Sequence, residues 1–251
     1  MSKKADIYRR RRFMLLVAVS AALFLYIAIA NHQQQLLVSQ INSSVTQAEN
    51  PEQINQDKPL ILARQALGEL VVKQAVSRVS YVRGDFSPGW GNVEGCDMRN
   101  RILARDLNQL VVDEDNCTVI SGELKSDPFT GESIKFERGV GTSGDIHIEH
   151  LVAVSDAWVK GAQELTDQER HQFYNDPLNL IAVDGMTNIA KGNQDASEWL
   201  PPPEYRCLYI ARQIAVKLKY ELWVSPREYQ AMNQTLQTCP QQVLPIEKAK
   251  S

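Results

Sequence analysis

Apolar and polar positions along the chain fall into segments of distinct period, and each period predicts a different element. Residues 13–30, FMLLVAVSAALFLYIAIA, are one apolar run in which only Ser20 is polar outside Tyr26. Residues 31–57 are rich in Gln, Asn and Ser around Leu36, Leu37, Val38 and Ile41, the pattern of a polar spacer with one short helix. From 59 to 79, Leu60, Ala63, Leu67, Leu70, Val71 and Ala75 recur at helical spacing, which predicts a helix opening the folded domain. Residues 81–95 carry four glycines and a proline and predict a loop, 99–110 a helix, and 118–136 two strands around the turn Asp127-Pro128-Phe129-Thr130-Gly131. Isoleucine and valine alternating with polar residues through 145–152, DIHIEHLV, predict a strand. Thr166 and Glu169 form a capping-box signature for a helix that stops before Asp176-Pro177. A short apolar strand at 178–183, a turn at Asp184-Gly185 and a helix from Thr187 follow. A long amphipathic helix is predicted over 204–222, and Ser225-Pro226-Arg227-Glu228 opens the last one. The expected class is α+β, in four parts: 1–30, the spacer 31–57, one folded domain over 58–240, and a tail, 241–251.

Charge and cysteine usage assign a compartment. The apolar run follows four consecutive arginines, Arg9 to Arg12, which hold the N-terminus in the cytoplasm and send the rest across the membrane. As a helix the run rises about 27 Å, marginal for a bilayer core of about 30 Å. Ala28-Ile29-Ala30 also reads as a small-x-small cleavage site. Two readings stay open: an inner-membrane anchor facing the periplasm or outside, or a signal peptide removed after Ala30 to release a secreted protein. Cys96, Cys117, Cys207 and Cys239 are an even set for an oxidising compartment. Three pairings exist; the shorter loops favour Cys96 with Cys117 and Cys207 with Cys239. Zinc is the alternative, weakened by the lack of a C-x-x-C pair. The basic N-terminus leaves the rest more acidic than the overall charge of −3. Such a body cannot hold nucleic acid through its overall field and needs a local patch or a bound metal.

One constellation carries chemistry. In a strand, His147 and Glu149 share a face, and His150 joins them only if the strand ends at Glu149. An adjacent carboxylate and imidazole can serve a hard metal ion and a water-activating base together. Asn179 lies in the second strand. Asn188 opens the following helix, where its carbonyl oxygen is a further candidate ligand, and Lys191 is on the same helical face, within reach of a phosphate. His147 is a candidate phosphate contact or a residue that only packs beside the strand. Arg99 and Arg105 are candidate phosphate partners, with Asp97 and Asp106 near enough for plain ion pairs instead. His171 is expected to be solvated, Trp158, Trp199 and Trp223 to be core residues, and Arg206, Arg212, Lys217 and Lys219 to form a solvated basic face.

HIEHLVAV, NDPLNLIAV and DGMTNIAKGN, in that order, resemble the successive parts of an HNH endonuclease with the ββα-metal fold, in its exported branch. YVRGDFSPGW, CDMRNRILARDL, SDPFTGESIKFERG, DAWVKGA, WLPP and YRCLYIARQIAVKLKYELWVSP extend the resemblance over about residues 60–235. It implies an HNH core with a helical insertion and flanking helices. It also implies Glu149 and Asn188 as metal ligands, His150 as general base and Asn179 as the residue holding that base in register. The usual first pair is Asp-His and the usual third residue His, so Glu149 and Asn188 depart from the common pattern. The expected activity is metal-dependent cleavage of DNA, and of RNA as a second substrate, with little sequence preference. One Mg²⁺ or Mn²⁺ suits so sparse an oxygen site. The substrate is the partner expected, with the membrane added if residues 13–30 stay attached; no protein partner is inferred. The alternative is a membrane-anchored envelope or nucleic-acid-binding protein whose HNH fold is catalytically silent.

Overall fold

The chain divides after Pro59 into two units, Met1–Pro59 and Leu60–Ser251. The computed structural model describes residues 60–245, and of the first unit only His32, Gln33 and Gln35, all helical. The apolar run 13–30 lies outside the described residues, and with it the choice between anchor and signal peptide. Among the described residues no helix is long and apolar enough to cross a membrane.

The centre of the second unit is a hairpin, β6 (Ile146–His150) antiparallel to β7 (Leu180–Asp184), followed by helix α5 (Gly185–Lys191). Register pairs Ile148 with Ala182 and His150 with Leu180, which places Ile146, Ile148, Leu180 and Ala182 on one buried face. Helix α2 (Met98–Asp106) covers that face through Met98, Ile102 and Leu103. Asp184 ends the strand and caps α5, its side chain accepting from the Thr187 amide at 2.6 Å, so the helix starts two residues before the expected Thr187. Gly185 is required here. A Cβ at this position would run into the Gly144 carbonyl and press on the His147 ring, displacing α5 from β6.

Between the strands the chain inserts α3 (Val154–Val159) and α4 (Asp167–Tyr174), the latter opened by the Thr166–Glu169 capping box. Two further sheets precede the hairpin: a two-stranded one of β1 (Asn92–Val93) with β2 (Cys96–Asp97), and a three-stranded one of β3 (Asn108–Val112), β4 (Val119–Leu124) and β5 (Ile134–Glu137) in the order β3-β4-β5. Helices α6 (Pro203–Lys219) and α7 (Pro226–Gln237) close the unit, and Ser225 with Glu228 completes the second capping box. The α+β expectation holds at this level.

The helix expected over 59–79 is only α1, Ala63–Leu67. Gly68 caps it, and beyond Leu70 the chain is irregular, with Val72 bridging Val224 and with Val71, Val76 and Val79 exposed. β-Branched residues, poor in helices, tie this stretch to Val224 and Val159 through backbone bonds instead. At the other end, Leu62 bridges Val243, and the Leu244 amide donates to the Ile61 carbonyl at 2.9 Å, so residues 242–244 return to the start of the folded unit.

The basic face of α6 is not solvated. Arg212 is turned inward onto the carbonyls of Leu178 and Leu180, at 2.7 and 2.9 Å. Lys217 is fully buried, 3.0 Å from Glu228 and 3.6 Å from Asp156. Lys160 joins the same cluster, with Asp156 and Asp195 at 2.6 Å and Glu228 at 2.8 Å. Buried carboxylates on α3, on α7 and after α5 recruit these lysines, because an unpaired buried charge is costly. Of the four bases only Arg206 and Lys219 lie at the edge; Arg206 donates to the Pro201 carbonyl and Lys219 pairs with Asp176. His171 is exposed, while Trp158 and Trp223 are buried and Trp199 packs against Phe129 and Tyr209, as expected of core residues.

Both disulfides pair neighbours in sequence, Cys96 with Cys117 and Cys207 with Cys239. The second joins α6 to the end of α7. Replacing Cys207 and Cys239 with Ser is expected to lower stability by about 2 to 4 kcal/mol through the loosened unfolded chain. Denaturant unfolding of the double variant measures it; an unchanged midpoint would show the bridge contributes nothing.

Candidate active site

A cavity of about 480 Å³ opens at the end of β6 and is lined by His147, Glu149, His150 and Asn188 together with Arg83, Trp90, Arg99, Ser155 and Asn193. Pairing carries β6 as far as His150, opposite Leu180. There the chain bends: the Leu151 amide donates to the Asn179 carbonyl, and the Val152 amide to the Asn179 side-chain oxygen, both at 2.8 Å. Asn179 is fully buried and does not border the cavity; its amide instead clamps the turn that follows His150. β6 does not end at Glu149, yet His150 lines the same cavity as Glu149, although simple alternation places them on opposite faces.

His150 is fixed on all sides. Its Nε2 lies 2.8 Å from the Tyr174 carbonyl. A carbonyl only accepts, so Nε2 carries the proton and Nδ1 keeps its lone pair. Trp90 and Phe173 lie nearly parallel to the ring, at centroid distances of 5.7 and 6.5 Å and angles of 10° and 17°. Burial pushes His150 down to about 3; the Tyr174 carbonyl opposes this, and the charges of Arg83 and Lys191 add to the fall. The imidazole is therefore neutral at physiological pH, with Nδ1 free of a proton.

Glu149 and Asn188 face the cavity from β6 and α5. Lys191 Nζ donates to Glu149 Oε1 at 2.7 Å, and among the described residues no group donates to Oε2. The Asn188 amide nitrogen lies 3.4 Å from His147 Nδ1, which leaves the buried Asn188 Oδ1 without a hydrogen-bond partner. An orphaned buried carbonyl beside a half-free carboxylate is a donor pair suited to a hard cation. Among the described residues no cluster of three or more His, Cys, Asp or Glu could hold an ion. Any ion here would complete its shell with water and substrate oxygens.

The other expected residues separate. Arg99 borders the cavity while donating to the Ser143 and Ile146 carbonyls at 3.0 and 3.1 Å; Asp97 instead caps α2. Arg105 lies outside it, bound to Asp106 and to the Pro177 and Leu180 carbonyls. Lys191 is wholly buried and does not border the cavity, since Glu149 draws it inward. Sequence reasoning missed Arg83, Trp90, Ser155 and Asn193 as lining residues. Arg83 and Trp90 stand in the glycine-rich YVRGDFSPGW loop, where no periodicity marks a side chain as facing a cavity.

The family model described as GmrSD restriction endonucleases, C-terminal domain, matches residues 97–235. The chain belongs to this family of HNH-type nucleases. The matched stretch of the GmrSD-type domain contains Glu149, His150, Asn179 and Asn188, whereas Arg83 and Trp90 lie before it. A protein of Arthroderma benhamiae described as an uncharacterized secreted protein is 35% identical over 181 residues, covering 70% of this chain and 84% of that protein. No solved structure matches the GmrSD-type chain.

Proposed function

We propose that this protein is an exported, metal-dependent endonuclease that hydrolyses phosphodiester bonds of DNA, and of RNA as a second substrate, with little sequence preference. The observation that carries the reading is the disposition of His150: Nε2 is committed to the Tyr174 carbonyl, and the ring, with its Nδ1 lone pair, shares a cavity with Glu149 and the orphaned oxygen of Asn188. Family membership supports nuclease chemistry and a nucleic-acid substrate. Two disulfides and the secreted relative support export.

His150 takes a proton from water at Nδ1, and the resulting hydroxide attacks phosphorus in line as the P–O3′ bond breaks, leaving a 5′-phosphate and a 3′-oxygen that takes a proton from solvent to become a hydroxyl. Arg83 and Arg99 on the wall hold non-bridging oxygens of the phosphate. Asn179 and the Tyr174 carbonyl keep the base aimed, and Trp90 and Phe173 keep its ring from turning. Glu149 Oε2 and Asn188 Oδ1 would hold a divalent ion, Mg²⁺ or Mn²⁺, which when bound supplies charge stabilisation at the phosphoryl oxygens. His147 positions Asn188 through its amide nitrogen.

A plasmid-nicking assay with the purified protein tests this reading. Cutting is expected with Mg²⁺ or Mn²⁺, none with a chelator, and recovery when the ion is restored. Cutting that persists after exhaustive chelation would remove metal dependence, and no cutting under any condition would favour a silent fold. Asn188→Ala is expected to raise the metal concentration for half-maximal activity by about tenfold or more, on the scale of losing a ligand or its support. The variant's unfolding midpoint should barely move. A metal titration curve identical to wild type would show that Asn188 is not a ligand.

A further inference from the structure

We propose that Lys191 makes ion loading conditional on nucleic acid: by cancelling the charge of Glu149 and occupying one of its oxygens, it leaves a site that holds a divalent ion weakly until a phosphodiester enters the cleft. This rests on the reading of Glu149 and Asn188 as the ligand pair.

Lys191 is 0% exposed, and its one ion-pair partner among the described residues is Glu149, at 2.7 Å. Burying an ammonium is expensive, and an apolar side chain of similar volume would fill the same space at lower cost. Its position near the end of α5, one turn after Asn188, directs it to the carboxylate that Asn188 faces across the cavity. The bond to Oε1 restricts Glu149 to Oε2, so that an ion meets one carboxylate oxygen rather than two.

The charge around the site leads to the same conclusion. Glu149 and Lys191 form an ion pair whose charges sum to zero, and Asn188 is neutral. Arg83 and Arg99 line the same cavity, so the wall is cationic before substrate arrives. A divalent cation gains little from such a surface alone. A phosphodiester held by the two arginines supplies the missing negative charge and further oxygen ligands. Linkage then requires the reverse: an ion already in place tightens nucleic-acid binding by the same factor. A protein that loads its ion together with its substrate leaves no strong free site for other metals.

The test reads ion binding rather than cleavage. Mn²⁺ is titrated into the purified His150→Ala protein, free Mn²⁺ being read by electron paramagnetic resonance, with and without a short DNA duplex. The duplex is expected to tighten Mn²⁺ binding by at least about tenfold, within the usual range of coupling between sites. In the same background and without DNA, Lys191→Met and Lys191→Gln, checked for native circular dichroism, are expected to bind Mn²⁺ at least about tenfold more tightly than the parent. Equal Mn²⁺ affinity with and without duplex overturns the proposal, as does folded Lys191 variant protein that binds no more tightly. Should neither variant fold, the duplex comparison decides. Absence of Mn²⁺ binding in every arm would overturn the ligand assignment itself, a result distinct from tight binding indifferent to DNA.

Discussion

His150→Ala is expected to lose about 100-fold or more in cleavage rate, the scale on which a general base acts. It should stay folded, because its ring borders a cavity and the Trp90, Phe173 and Tyr174 cluster keeps contacts of its own. His147→Ala should lose far less, since its ring acts on Asn188 and not on water. Single-turnover rates at saturating metal separate the two. Equal rates for wild type and His150→Ala would remove His150 from the mechanism. The pH profile is a second check. Because burial holds His150 near 3, its proton-accepting form is full across about pH 5 to 8, and the rate should show no loss of base in that window. An acid limb near an ordinary histidine value, persisting at saturating metal, would contradict the buried tautomer.

Lys160→Met is expected to be the most destabilising single change at the charge cluster, by about 3 to 5 kcal/mol, because it strips the main partner from three buried carboxylates. Thermal unfolding should fall by roughly 10 °C for a domain of this size. The sign of the pH dependence follows from the pKa shifts. Burial lowers the Lys160 value, but Asp156, Glu228 and Asp195 outweigh it and raise the result above the ordinary lysine range. Its contribution is therefore complete at neutral pH and lost only in strong alkali. Burial works against Asp195 too, yet Lys160 and Ser197 hold it below the ordinary range, so that contribution is lost as pH falls. Glu228 is raised by burial and by Asp156 and Asp195. Without Lys160, Asp195 loses the charge that held it down and Glu228 keeps only Lys217 against its rise, so these two resist ionisation more and acid should relieve them. The stability gap between wild type and Lys160→Met should thus narrow from about pH 8 to about pH 5. A gap that widens on acidification, or a variant as stable as wild type, would contradict this account.

The order of elements around the site was legible in the sequence because its signals are local. Alternation over 145–152 reported the buried face of β6, and Thr166 with Glu169 and Ser225 with Glu228 reported two helix starts that form as read. Local signals also misled. Helical spacing over 59–79 reflected a few contacts of α1 followed by exposed valines, and alternation alone separated His150 from Glu149, although both line one cavity.

What the sequence by itself determined, then, is the hairpin and helix that present Glu149, His150 and Asn188, and the short loops that each disulfide closes. Caps, pleats and turns depend on residues a few positions apart, and the chain states them directly. Tertiary structure alone decided which charges are used and how. Lys191 meets Glu149 across 42 positions and Lys160 meets Asp195 across 35, and only folding brings these partners together in a medium where a lone charge cannot stay unpaired. For the same reason Lys191 turned out to be a buried counter-ion, Arg105 a brace for backbone carbonyls, and Arg83, in the glycine-rich loop, part of the cavity wall.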